Sequence, residues 1–296
     1  MAHPATATHE VCATSGKLAT MKTVLTADPV RYPRMITQEL RESFLIHGLY
    51  EPGAMRLAYI DLERAIAGII APLADTLSLP VFPELRATHF TDRRELGALN
   101  IGGAGVIHVG EQAIELENLD VLYIGRGNPQ VRFESKSSNA PAIFYLLSYP
   151  AHASYPTTLI RRSDSQPSEL GSAATCNRRT VHKYIHAAGA KSCQLVMGVT
   201  HLHEGSVWNT MPPHTHMRRS EIYFYFDLGE SAHVFHMMGP PDETRHLVVN
   251  DCDVVASPGW SIHAGVGTQA YKFCWGMGGE NQDYADMDPA PIDCLR

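Results

Sequence analysis

Short apolar runs separated by turn residues recur along almost the whole chain, and this rhythm limits the fold more than any other feature. Residues 58–60, 68–70, 96–101, 105–109, 113–116, 121–124, 131–133 and 142–148 each hold a strand's length of aliphatic, β-branched or aromatic side chains. A second series covers 180–185, 194–199, 221–226, 232–237, 245–249, 253–257 and 271–275. Gly and Pro cluster between the runs, the pattern of an antiparallel sandwich or barrel. One helix is predicted within 31–49, where Met35, Leu40, Phe44, Leu45 and Leu49 recur among charged neighbours and Gly48 stands near the end.

The stretch 150–175 is rich in Ser, Thr and Pro and reads as a linker. The chain then divides into a tail at 1–21 expected to be disordered, an N-terminal barrel at 22–160 and a C-terminal barrel at 161–296. The two halves share a local echo: Asn118-Leu119-Asp120-Val121-Leu122-Tyr123-Ile124-Gly125-Arg126-Gly127 resembles Asn250-Asp251-Cys252-Asp253-Val254-Val255-Ala256-Ser257-Pro258-Gly259. Each is an Asp-containing turn, an apolar strand and a Gly-containing turn, as a duplicated barrel would give.

With 296 residues and 44% hydrophobic content, the chain can fill one large or two medium cores. A formal net charge of -7 with no basic stripe excludes nucleic acid as a partner. The six cysteines form no C-x-x-C pair, so a disulfide scaffold is excluded and a reduced, cytoplasmic setting is expected. No run approaches 18 apolar residues, so no membrane helix is predicted, and the first 22 residues lack the features of a signal peptide.

Chemistry concentrates in Trp208-Asn209-Thr210-Met211-Pro212-Pro213-His214-Thr215-His216-Met217-Arg218-Arg219-Ser220-Glu221. Side chains alternate along a strand, so His214 and His216 point to one face. A hairpin at Arg218-Arg219-Ser220 would return the Glu221 carboxylate beside them. His263, in Pro258-Gly259-Trp260-Ser261-Ile262-His263, is the natural fourth ligand from a later, adjacent strand. Three imidazoles and one carboxylate suit zinc, manganese, iron, cobalt or nickel. His201-Leu202-His203-Glu204 mimics the pattern, but its Glu is adjacent to the second His and cannot fold back on both rings. His233 and His236 are three apart and face opposite sides of a strand, while Gly102-Gly103-Ala104-Gly105 lacks the Lys-Ser/Thr of a phosphate loop.

H-x-H-x4-E followed by P-x4-H is similar to the two motifs of the cupin superfamily. Two usual glycines are replaced, one by Trp260 and one by Cys252. The strings NIGGAG (100–105), APAIFYLLSYPAHASYPT (140–157), CNRRT (176–180), GSVWNTMPPHTHMRRSEIYFYF (205–226), VFHMMGPPDETRH (234–246), SPGWSIHAGVGTQAY (257–271) and WGMGGENQDYADMD (275–288) resemble the 5-keto-4-deoxyuronate isomerase family from about residue 35 onward.

The resemblance implies an all-β double cupin with short peripheral helices, one zinc per subunit held by His214, His216, Glu221 and His263, and a homohexamer. It implies a ketol-isomerase converting 5-dehydro-4-deoxy-D-glucuronate to 3-deoxy-D-glycero-2,5-hexodiulosonate in the catabolism of pectin and related polyuronides. A uronate carboxylate calls for an arginine fork, with Arg178, Arg179, Arg218 and Arg219 as candidates. Trp208, Asn209 and Trp260 flank the ligands and are candidate pocket residues. The proton-moving base stays open between Glu221, Lys183, Tyr184, Tyr223 and His201. The N-terminal half has no H-x-H-x4-E, so its barrel is expected to hold no metal. The rivals are a metal cupin dioxygenase and a non-catalytic sugar-binding cupin.

Overall fold

Alternating strands stay soluble only when one face is buried, and this chain buries those faces by folding pairs of sheets onto shared cores. The computed structural model describes residues 8–12, 18–280 and 286–296. Among them lie strands, all but one pairing of them antiparallel, a few short 3₁₀ turns and a single α-helix, Thr37–Phe44. The helix starts where the Glu39 carboxylate accepts the Ile36 N–H at 3.0 Å, and it buries Leu40 and Phe44. It lies within the 31–49 stretch where a helix is expected.

Two compact units emerge. Met1–Val24, Gly48–Ser165 and Ala188–Leu195 form the first; Leu25–His47, Gln166–Ala187 and Val196–Arg296 form the second. This departs from a single cut near residue 160, because two segments cross it. Tyr32, Leu40, Phe44 and Leu45 fill the second unit's core. The backbone N–H groups of Cys193, Gln194 and Leu195 are held by the Glu95 carboxylate of the first. The expected linker also carries the strands Thr158–Ile160 and Ser168–Leu170.

The first unit packs an eight-stranded sheet against a four-stranded one. Leu57, Ile66, Leu96, Leu122 and Leu146 from the larger meet Ile107, Val109, Val131 and Phe133 from the smaller. The tail expected to be disordered is, over its described residues, an antiparallel pair of Thr8–Cys12 with Leu18–Val24. The second of these continues the sheet in parallel with Met55–Ile60. The small polar composition of 1–21 concealed this, since pairing to an existing sheet edge needs backbone groups more than apolar side chains.

The second unit's large sheet runs Ser168–Leu170, Arg179–Ile185, Val196–Leu202, Lys272–Gly279, Arg219–Phe226, Val254–Ser257, Leu45–Ile46. Its small sheet runs Trp208–Asn209, Ile262–Gly267, Val234–Gly239, Arg245–Val249. Tyr223, Tyr225, Phe273 and Trp275 of one meet Val234, Met238, Leu247 and Val249 of the other. A Cβ on Gly198 would sit 2.1 Å from the Trp275 ring and 2.6 Å from the His182 carbonyl. Gly198→Ala is therefore expected to destabilise by about 2–3 kcal/mol, read as a lower urea midpoint, because neither neighbour can yield without moving the sheet.

The sequence echo is a structural one. Leu119 and Cys252 both adopt left-handed backbone, at φ 66 and 63, which explains why a glycine is usual at Cys252. Asp120 and Asp253 each accept a backbone N–H three residues earlier, both at 2.9 Å. Leu119 and Cys252 donate to Asn100 and Tyr225, which bond back to Asp120 and Asp253. Counting four residues back along the matched strands from Asn100 and Tyr225 sets Leu96 against Glu221. Leu96 is fully buried in an all-apolar core, so the first unit has a hydrocarbon where the second has its carboxylate.

Candidate metal centre

His214 comes from the two-residue strand His214–Thr215, His216 from just beyond it, Glu221 from Arg219–Phe226, and His263 from Ile262–Gly267. One donor atom from each lies within 4.8 Å of all the others, the sole such group among the described residues. The route differs from the expected hairpin. His214–Thr215 pairs with Asp288–Pro289 instead of Arg219–Phe226. The strand of His263 lies in the small sheet, beside Trp208–Asn209 and Val234–Gly239. Glu221 and His263 thus project from different sheets into one interior.

The donors crowd. Glu221 Oε2 is 3.1 Å from His216 Nε2 and 3.0 Å from His263 Nε2, and His263 Nε2 is 3.0 Å from His214 Nε2. His216 Nδ1 donates to the Arg219 carbonyl at 3.0 Å, which leaves the Nε2 lone pair directed at the cluster. The buried Arg219 side chain is in turn held by Asp286, which also takes Arg218 at 2.8 Å.

Charge decides what this arrangement can hold. Burial, then the neighbouring His263, pushes His214 down to about 3, so it stays a neutral donor. Burial disfavours a charged His216, but the hydrogen bond and charge of Glu221 outweigh it and raise its pKa. Burial likewise opposes ionisation of Glu221, yet His263 and the hydrogen bonds from both imidazoles hold it well below the ordinary carboxylate range. Arg219 is already matched by Asp286, so the Glu221 anion needs a proton or a cation at the imidazoles. Three nitrogen donors and one carboxylate oxygen converging on one point fit a divalent metal.

The substrate candidates separate. Asn209 is buried and donates to the Tyr271 hydroxyl at 2.6 Å, while Trp208 is half-buried on the same short strand. Arg179 lies on the inner face of its strand, opposite Leu202. Burial lowers its pKa and the Tyr223 and Tyr271 phenols oppose that, which sets it beside them. Arg178 is exposed, and Arg218 and Arg219 are committed to Asp286. Trp260 is placed differently from expectation: its ring packs edge-on against Tyr32 at 5.3 Å and Phe44 at 6.2 Å, partners from Leu25–His47.

Of the base candidates, Tyr223 shares the Glu221 face and its ring centroid is 5.7 Å from that of His263. Burial drives its phenol well above the usual range, so it keeps its proton. Tyr184 stacks with His182 on the opposite sheet face. His201, paired with Lys272, is on that outer face too, and Lys183 is exposed. His203 bonds Thr180 and Glu169. The alternating pattern left open which face of each strand points inward; among the histidines it also left His236 unassigned, which proves fully buried and bonded to Tyr225 at 2.7 Å.

Paired sheets in each unit, and in the second a buried cluster of three imidazoles and one carboxylate that could hold a metal, define a double cupin. The model of the KduI/IolB family matches residues 76–291, and the chain belongs to that family. It is 49% identical over 278 residues to the 4-deoxy-L-threo-5-hexosulose-uronate ketol-isomerase of Opitutus terrae, covering 93% of this chain and 100% of that one. It is 48% identical over 271 residues to the enzyme of the same name from Kineococcus radiotolerans, covering 90% and 97%. In structure it resembles an IolB-like protein from Salmonella typhimurium, with TM-score 0.68 at 14% identity over 83% of this chain and 96% of that one.

Proposed function

We propose that this chain is a metal-dependent ketol-isomerase that converts 5-dehydro-4-deoxy-D-glucuronate to 3-deoxy-D-glycero-2,5-hexodiulosonate, a step in the breakdown of pectin and related polyuronides. The observation that carries the reading is the convergence of His214, His216, Glu221 and His263 within 4.8 Å. Close relatives that bear the isomerase name support it. The donor set supports zinc, one per subunit, and the family resemblance supports a homohexamer. No helix of the described residues is long and apolar enough to cross a membrane. The free cysteines among the described residues support a reducing, cytoplasmic setting.

Moving a carbonyl from C1 to C2 requires negative charge on two neighbouring oxygens and the transfer of a proton between their carbons. A cation held by the four ligands supplies Lewis-acid stabilisation of that charge. Tyr223, protonated and facing the cluster, donates a hydrogen bond to a substrate oxygen. Of the base candidates facing the cluster, Glu221 alone is a proton acceptor. Arg179 receives the substrate carboxylate, its fork being the one arginine of the candidates on the inner face without a carboxylate partner. The half-buried Trp208, on the strand that carries Asn209, shields the bound chain from water.

Under argon, protein and ketouronate are expected to yield the diulosonate, followed by NMR. Chelation should stop the reaction and added zinc restore it. Conversion that requires oxygen would point to a dioxygenase, and binding without conversion to a sugar-binding protein.

Metal loading should also depend on pH. Because the pKa of His216 is raised above 6.5 in the metal-free protein, protons compete for its lone pair below that raised value. His214, at about 3, offers no competition in this range. Apparent zinc affinity is expected to fall roughly tenfold per pH unit on going down through the region below the His216 pKa, and to level off above it. Competition with a chromogenic chelator at pH 5.5, 6.5, 7.5 and 8.5 measures this; a flat profile would remove His216 from the ligand set.

A further inference from the structure

Beside the ligand cluster lies a second group of buried polar side chains. Gly265 sits in the middle of the small sheet, paired with Asn209 on one side and His236 on the other. Directly paired residues point to the same face, so Asn209 and His236 flank a position with no side chain. A Cβ on Gly265 would come within 2.7 Å of the Asn209 amide nitrogen, so only glycine leaves this gap open. His263 lies two residues earlier on the same strand and the same face, about 7 Å away.

Hydrogen bonding fixes what each side chain offers. The Asn209 amide donates to the Tyr271 hydroxyl at 2.6 Å. Burial keeps the Tyr225 phenol protonated. The hydrogen-bond partner of that hydroxyl is His236 Nδ1, 2.7 Å away, so the phenol proton goes to it. The neutral His236 ring therefore carries its hydrogen on Nε2. That Nε2 and Asn209 Oδ1 are both buried and have no partner among the described residues, and both residues are at most 1% exposed. Such orphans are costly unless a ligand or water meets them.

We infer that His236 Nε2–H and Asn209 Oδ1 form a donor–acceptor pair that binds one hydroxyl of the open-chain substrate. The inference rests on the isomerase reading above. A carbonyl or carboxylate could use the donor only; a hydroxyl uses both, accepting from His236 and donating to Asn209. The substrate has hydroxyls at C2 and C3 alone, and C2 is a reacting carbon beside the ligand cluster. The pair therefore reads the C3 hydroxyl, the next oxygen along the chain. Tyr225 is a positioning residue that sets the tautomer of His236.

The test pairs a change in the protein with a change in the substrate. Zinc-loaded wild-type protein is assayed on the ketouronate and on its analogue lacking the C3 hydroxyl. The expected result is isomerisation of both, with kcat/KM about 30- to 100-fold lower on the analogue. No turnover of the ketouronate would overturn the isomerase reading and this inference together. His236→Leu and Asn209→Ala, on different strands, are then each expected to lose about 10- to 100-fold on the ketouronate, keep wild-type zinc content, and discriminate less than threefold between the two compounds. Equal losses on both compounds, or discrimination kept, overturn the pair while leaving the isomerase reading intact. Each variant carries the comparison alone should the other not fold.

Discussion

His263→Ala is expected to lose bound metal and turnover together, with kcat reduced at least about 10³-fold. His263 Nε2 is the most connected of the nitrogen donors, 3.0 Å from both Glu221 Oε2 and His214 Nε2. Its loss removes one of three nitrogen donors and leaves a buried carboxylate with fewer counter-charges. The ligand strand itself should survive, because its backbone pairs on both sides with Trp208–Asn209 and Val234–Gly239. Metal content by plasma mass spectrometry and isomerisation followed by NMR are the readouts. His203→Ala, from the decoy H-x-H, should leave both unchanged. Full turnover by metal-free His263→Ala protein would refute the assignment of the centre.

The second large effect belongs to the first unit. Glu95 is fully buried, and its carboxylate accepts the N–H groups of Cys193, Gln194 and Leu195 at 2.7–2.8 Å and the Tyr123 hydroxyl at 2.8 Å. Glu95→Ala would leave three backbone donors and a phenol without this acceptor and open a cavity beneath them. At about 1–3 kcal/mol for each orphaned buried group, partly relieved by entering water, a destabilisation of about 3–5 kcal/mol is expected. Urea denaturation followed by circular dichroism gives the size of the loss. Hydrogen exchange gives its location, with protection at residues 193–195 falling first. A loss under about 1 kcal/mol would mean that water replaces the carboxylate without penalty.

The convergence of the four candidate donors was legible because it is written in short-range pattern. H-x-H sets two rings close together, Glu221 follows within five residues though not by the expected hairpin, and P-x4-H marks the fourth donor. What sequence could not give is register between distant strands. His236 and Asn209 meet only because both pair with Gly265, and no local period encodes that. Trp260 looked like a pocket residue since it stands three places before a ligand, yet its partners Tyr32 and Phe44 lie far away in the chain. The strand Leu18–Val24 was missed for the same reason: its sheet partner, Met55–Ile60, supplies the order that its own composition does not advertise. Boundaries of the inner strands, by contrast, fell within a few residues of expectation, because their apolar runs are bounded by Gly, Pro or Asp.

The allotment of Leu25–His47 to the second unit has a practical consequence. Tyr32, whose hydroxyl donates to the Met238 carbonyl at 3.0 Å, and Leu40, Phe44 and Leu45 beside it are interior groups of the unit that holds the metal ligands. Leu45–Ile46 also closes the edge of the large sheet against Val254–Ser257. A recombinant fragment cut at residue 161 would carry every ligand and still expose a raw hydrophobic socket and an uncovered strand. Shuffling or fusing the two barrels as interchangeable cassettes would have to carry this early stretch along with the later half.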